Sequence, residues 1–354
     1  MSAGGAGKRT LDPDLAETTN ASCNEPNSKA KKTSSASASP LRLRGYHASK
    51  KGEREDMQDC YVILDNYDRF FAPAADDSDD QLQQASSDIR RAAYYAVFDG
   101  HNGPKAAEFA AKHLHTKLAT CIAPGPDLAT VEQSIKRSFV EAYKKTDEQF
   151  LAEAKQVKPV LKDGCTATTV LVLNDSVYIA NLGDSKAILC RRKPEEKRDV
   201  ALTLTKDHSP QAFEERNRIQ KAGGFVKDGR VMGIVEVSRS IGDGQYKNHG
   251  VSCVPDVKKC SLTENDRYIL IACDGLWKPF TNQQVMEMLT EQLKRVKADE
   301  KIVAVGEKPL EQVQWETVAA RLAAEAVRKG CGDNVTVLVV PIGTWFLSDT
   351  LEED

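Results

Sequence analysis

The chain has 354 residues, 40% hydrophobic and 29% charged, with a formal net charge of −3. That is the make-up of a globular protein with one large domain or two smaller ones, and it gives no electrostatic ground for binding nucleic acid or an anionic membrane. No apolar run approaches the roughly 20 residues that cross a bilayer, and the N-terminal MSAGGAGKRTLDPDLAE lacks the apolar centre of a signal peptide. A cytoplasmic and/or nuclear protein without a membrane partner, acting as a monomer, is therefore expected. The nine cysteines include no CxxC pair, which argues against zinc and for free thiols; Cys190 and Cys273, inside apolar runs, read as small core residues.

Residues 1–43 are rich in Ser, Ala, Lys, Asn and Pro. They hold too little apolar surface to offset chain entropy, so a disordered tail is expected. The cluster Lys29-Ala30-Lys31-Lys32 within it reads as solvated charge, or alternatively as a nuclear import signal. A strand over Tyr61–Leu64 precedes an acidic, polar loop over 74–90. Tyr94–Phe98 is a short apolar strand. A helix follows over Pro104–Leu118, with proline in its first turn. The next carries Val131, Ile135, Phe139, Tyr143, Thr146 and Phe150 at helical spacing, behind a capping box of Thr130 and Gln133. Thr166–Leu173, Val177–Leu182 and Lys186–Cys190 are three β runs with tight polar breaks, the pattern of an antiparallel meander. A helix over 210–222 ends at Gly223-Gly224. Tyr268–Cys273 is again a strand. A second capping box, Thr281 with Gln284, opens a helix carrying Val285, Leu289 and Val296. The helix Trp315–Lys329 stops at Gly330, Val335–Pro341 forms the last strand, and 344–354 is a short tail. Strands so continuously apolar are buried on both faces. The order lacks the regular alternation of a parallel sheet, so an α+β fold is expected over 44–343, with antiparallel sheets covered by helices.

The placement of aspartates is the most informative chemical signal. Tyr94–Phe98 ends in Asp99-Gly100-His101, and Tyr268–Cys273 ends in Asp274-Gly275. Asp333-Asn334 immediately precedes the last strand. One Asp-Gly pair alone is most simply a turn. Carboxylates repeated at strand ends are another matter, because bare ones there pay a large desolvation cost. Neither strand brings an Arg or Lys to relieve it. A hard, oxygen-ligated divalent cation would relieve all three. Arg54, in a polar segment, reads as a surface charge by default; beside a metal site its guanidinium fork suits phosphate.

Here a resemblance becomes plain. Arg-x-x-Met-Gln-Asp at 54–59, Val-Phe-Asp-Gly-His at 97–101 and Asp-Gly-Cys-Thr-Ala at 163–167 resemble successive motifs of the metal-dependent protein phosphatases, protein phosphatase type 2C. So do Ala-Asn-Leu-Gly-Asp-Ser at 180–185, Val-Ser-Arg-Ser-Ile-Gly-Asp at 237–243, Ala-Cys-Asp-Gly-Leu-Trp at 272–277 and Asp-Asn-Val-Thr-Val at 333–337. The stretches KKGEREDMQD and EVSRSIGDGQYK further resemble a kinase-associated member, which implies a kinase or kinase complex as a partner beside phosphoprotein substrates. The resemblance implies an α-β-β-α sandwich of two stacked antiparallel sheets flanked by helices, with the site at one end. It implies two Mg²⁺ or Mn²⁺ ions, and in some members a weakly held third. Asp99 would bridge the two ions. Asp274 and Asp333 would complete one shell, the Gly100 carbonyl would serve the other, and Asp59 would act through water. The ions would activate a shared water that attacks phosphorus in line, with no covalent intermediate. Arg54 would bind the phosphoryl oxygens and His101 would protonate the leaving serine or threonine oxygen. Asp243 matches a further acidic family position, and 207–236 matches a flap beside the site.

Some positions depart from the pattern. Gln58 stands where Glu is common, so the second ion would be held more weakly. Asn102 replaces a glycine, although Asn tolerates positive φ. Cys165 replaces a serine, and Asp163 is offset from the acid that helps hold the third ion. The competing readings are a pseudophosphatase that scaffolds phosphoproteins or kinases, and another two-metal hydrolase such as a nuclease.

Overall fold

The structure, a computed structural model, describes residues 43–67, 89–123 and 127–343. The expected tails over 1–42 and 344–354, the basic cluster at 29–32 and nearly all of the loop expected over 74–90 lie outside these residues. Leu43, expected in the N-terminal tail, is buried and bridges Ile342.

In chain order the elements are β1 (Tyr46–Lys50), β2 (Cys60–Leu64), β3 (Ala92–Phe98), β4 (Gly100–His101), α1 (Lys105–Cys121), α2 (Leu128–Ala154), β5 (Gly164–Cys165), β6 (Ala167–Leu173), β7 (Ser176–Leu182), β8 (Lys186–Lys193) and β9 (Arg198–Thr203). Then come α3 (Phe213–Lys221), β10 (Val226–Lys227), β11 (Arg230–Val231), β12 (Ile241–Gly242), β13 (Asp256–Ser261), β14 (Asp266–Ala272), α4 (Asp274–Trp277), α5 (Asn282–Ala298), α6 (Leu310–Arg328) and β15 (Val335–Pro341). Two five-stranded antiparallel sheets result, in the orders β13-β7-β6-β3-β2 and β1-β15-β14-β8-β9.

Side-chain alternation decides the layering. In β3, Tyr94, Ala96 and Phe98 join Leu114, Ile135, Phe139 and Tyr143 of α1 and α2. Tyr95 and Val97 point the other way, toward Ile269 and Ile271 of β14 and Leu338 and Val340 of β15. The opposite face of β14, with Tyr268 and Leu270, meets Leu289, Trp315 and Leu322 of α5 and α6. Helices, sheet, sheet and helices therefore stack around three apolar layers, the α-β-β-α sandwich expected. Each central strand is buried on both faces, which is why its sequence is apolar throughout. Among the described residues, no helix is long and apolar enough to cross a membrane.

Several local expectations are corrected. The three β runs do not form one meander: β6 and β7 pair, but β8 crosses to the other sheet and pairs with β14 and β9. The chain turns through Gly183 at φ +102°, a left-handed conformation that glycine adopts without strain. The α2 cap is Asp127, whose side chain accepts from the Thr130 amide, not a Thr130–Gln133 box. The Thr281–Gln284 box is present in full. Helix α6 starts at Leu310, five residues before the expected Trp315, and α3 is trimmed to Phe213–Lys221. Strands β1, β9 and β13 had no clear apolar signal. All three lie at sheet edges, where charged residues such as Lys50, Arg198 and Lys258 replace the apolar run.

Candidate metal and phosphate site

The register of the sheets brings the acids together at one end. Cys60 pairs with Phe98, so Asp59 and Asp99, the next residue on each strand, are neighbours. Asp274 follows β14 and Asp333 precedes β15, strands paired with each other. The side-chain oxygens of Asp99, Asp184 and Asp274 approach one another within 4.8 Å, and Asp59, Asp99 and Cys273 form a second such group. The Thr166 hydroxyl accepts from the Asp99 amide at 3.2 Å and lies 2.7 Å from the Ser185 hydroxyl, tying the Asp99 and Asp184 turns together.

Electrostatics at this point is under strain. Burial, then Asp59, Asp274 and Asp184, push the Asp99 carboxyl well above the usual range. Burial raises Asp59 and Asp184 each to about 7. The Thr336 hydroxyl and Cys273 thiol temper the Asp59 rise from nearby, yet both Asp59 oxygens are buried without a completed hydrogen bond. Orphaned, mutually repelling carboxylates of this kind fit a divalent cation. Cys273 is already engaged: burial raises its thiol pKa, and its sulfur donates to Asn334 O and accepts from the Thr336 amide. The other donors are carboxylate oxygens, which suit a hard divalent cation.

Asp333 belongs to neither close group. Burial raises its pKa, but Lys278 and Arg54 reverse this and leave it below the ordinary value. Arg54 forks onto it, Nε to Oδ1 at 3.0 Å and Nη2 to Oδ2 at 3.1 Å, with 60% of the Arg54 side chain exposed. Asn334 fixes the segment carrying Arg54: its Oδ1 accepts from the Gln58 amide and its Nδ2 donates to Lys51 O and Asp56 O. Gly100 runs so close to Gln58 O that a Cβ there would collide with it.

His101 sits in a small sheet of order β12-β5-β4, opposite Gly164. Its Nε2 lies 2.7 Å from Oδ2 of fully buried Asp243, which also accepts from the Ser240 hydroxyl at 2.6 Å. Burial lowers the imidazole pKa, but the Asp243 charge outweighs it, and the net shift is upward. Arg54, Asp99, Gly100, His101, Asp184, Asp274 and Asp333 all line one cleft of about 360 Å³, which Arg230 and Ile234–Val237 of the flap close on one side.

The flap is pinned from beneath. Glu215 of α3 is 4% exposed and accepts from Arg239 at 2.6 Å and Arg218 at 2.7 Å. Burial would raise its pKa, but Arg239, Ser238 and Arg218 together bring it from the usual 4.5 down to about 2. A depressed carboxyl stabilises the fold above its unfolded pKa, and that stability is lost as pH falls toward the folded value. Glu215→Gln is expected to cost about 3 kcal/mol at neutral pH. The deficit should shrink as pH falls from 4.5 to about 2, which parallel urea titrations at pH 7 and pH 3 measure.

Sequence reasoning missed two residues here. Asp184 follows an apolar strand just as Asp99 and Asp274 do, but Gly183 separates it from β7 and hides the pattern. Lys278 caps α4 one turn after Asp274 and pairs with it at 2.7 Å, so the strand does bring a cation, through the helix that follows. Asp163 instead caps α1, its Oδ1 accepting from the Lys105 amide; among the described residues it joins neither acidic group. Asn102 does adopt positive φ, at 60°.

A family model described as Protein phosphatase 2C matches residues 66–335. The integrin-linked kinase-associated serine/threonine phosphatases 2C of Rattus norvegicus and Homo sapiens are each 49% identical over 313 residues, spanning 88% of this chain and 76% of those proteins. A probable protein phosphatase 2C of Arabidopsis thaliana is 34% identical over 304 residues, 83% of this chain and 77% of that protein. The crystal structure of a serine-threonine phosphatase 2C from Toxoplasma gondii shares the fold, with TM-score 0.65 at 20% identity over 86% of this chain and 96% of that one.

Proposed function

The chain belongs to the protein phosphatase 2C family, and from that premise we propose that it hydrolyses phosphoserine and phosphothreonine in proteins with two Mg²⁺ or Mn²⁺ ions. The observation that carries this reading is the convergence of Asp59, Asp99, Asp184 and Asp274, buried or half-buried and mutually repelling. Bound divalent ions lower the pKa of water and supply a nucleophile near neutral pH.

The protein's own part is positioning and charge. Asp99, shared by both acidic groups, would hold both ions. Asp274 and Asp333 would serve one ion and the Gly100 carbonyl the other, with Asp59 in support. Arg54 lies at the mouth of the cleft with much of its side chain in solvent, free to turn from Asp333 to phosphoryl oxygens and grip them with the same fork. His101, held by Asp243 at 2.7 Å, donates a proton to the departing serine or threonine oxygen. The names of the mammalian relatives extend the proposal to a partner: integrin-linked kinase or a complex containing it.

Purified protein with Mn²⁺ and a phosphothreonine peptide tests the reading. Catalytic release of phosphate is expected. Tight peptide binding without release would favour the scaffolding pseudophosphatase, and cleavage of DNA or RNA in place of the peptide would favour a two-metal nuclease.

A further inference from the structure

Lys278 caps the C-terminus of α4 at the edge of the carboxylate cluster, with 49% of its side chain exposed. Its ammonium is 2.7 Å from Asp274 Oδ2 and 3.2 Å from Asp333 Oδ2. We propose that Lys278 is a built-in cation of this cleft, standing in for a further divalent ion and limiting uptake to two. The proposal rests on the metal-dependent reading above.

Charge balance supports it. Asp59, Asp99, Asp184, Asp274 and Asp333 all face the cluster, the last through its two cationic partners. Two divalent ions supply four positive charges and the ammonium a fifth, so the carboxylates are neutralised with Arg54 left over for a phosphate. Without Lys278 one carboxylate charge would remain unmatched at this partly exposed edge of the cluster, where a third divalent ion could balance it.

Geometry supports it as well. A cation held between Asp184 and Asp274 would share Asp274 with the ammonium, which lies 2.7 Å from its Oδ2, and meet that charge at close range. Lys278 thus adds a cation at the Asp274–Asp333 edge that needs no supply of metal.

Calorimetric titration of metal-stripped protein with MnCl₂, alongside thermal melts, tests this. Wild type should bind two Mn²⁺ per chain. Lys278→Gln should bind three, melt lower than wild type when metal-free and gain more from Mn²⁺. Lys278→Arg, which keeps the charge, should match wild type in both measurements. Two Mn²⁺ bound with wild-type affinity by Lys278→Gln would overturn the proposal while leaving the metal-dependent reading intact. Wild type that binds no Mn²⁺ would overturn both. If Lys278→Gln does not fold, the wild-type count decides, since three ions bound beside an intact Lys278 contradict the proposal.

Discussion

Asp99→Asn is expected to lower phosphopeptide turnover by about a thousandfold, the equivalent of several kcal/mol of lost metal-assisted stabilisation. Asp99 is common to both groups of converging carboxylates, so no neighbour can replace it. The same substitution should raise the melting temperature of the metal-free protein. Asp99 is pushed well above the ordinary carboxylate range by burial and by Asp59, Asp274 and Asp184, so a neutral amide of the same shape removes repulsion that the fold otherwise carries. Mn²⁺, which should stabilise the wild type by mass action, should then have little effect on the variant. Activity and metal-free melts together check the prediction. A variant that is both inactive and less stable would mean that Asp99 is a structural residue.

The second large effect is expected at His101. His101→Gln can still donate to Asp243, so the small sheet carrying it should persist. Loss of the acid should slow phosphoserine peptides about a hundredfold, at the lower end of what general acids contribute. An aryl phosphate, whose leaving group departs as a stable phenolate, should be slowed far less. Asp243→Asn should give a milder version of the same selectivity, because Asp243 beside the imidazole raises its pKa. Equal slowing of both substrates would remove His101 from the role of acid. Gly164 is the quiet partner in this arrangement: a Cβ there would run into both the His101 ring and the Asp243 carboxylate, so only glycine lets the dyad form.

What could be read from sequence alone follows from burial. Strands β3, β14 and β15 lie inside the sandwich and are apolar on both faces, and an acid at the end of such a run is conspicuous. Asp99, Asp274 and Asp333 announced themselves in this way. Asp184 obeys the same rule but is offset by the glycine that turns the chain between sheets. The crossing of β8 was hidden because Lys186–Cys190 is equally apolar whether it pairs with β7 or with β14. The edge strands β1, β9 and β13 were hidden because charged and polar residues interrupt their apolar pattern. The Lys278 contacts were hidden because they depend on the helical turn that α4 makes after β14, which the residues Asp274–Trp277 are too few to signal by periodicity. Glu215 and Arg239, 24 residues apart, meet only because the flap folds back on itself, and nothing local in either segment marks the pair.

The most direct test of the converging carboxylates is anomalous diffraction from crystals of the metal-stripped protein soaked in Mn²⁺. Manganese peaks should appear within bonding distance of the Asp99 carboxylate, with Asp274 or Asp59 among the surrounding oxygens. An ordered cleft without a peak at Asp99, or manganese bound only elsewhere on the protein, would contradict the account.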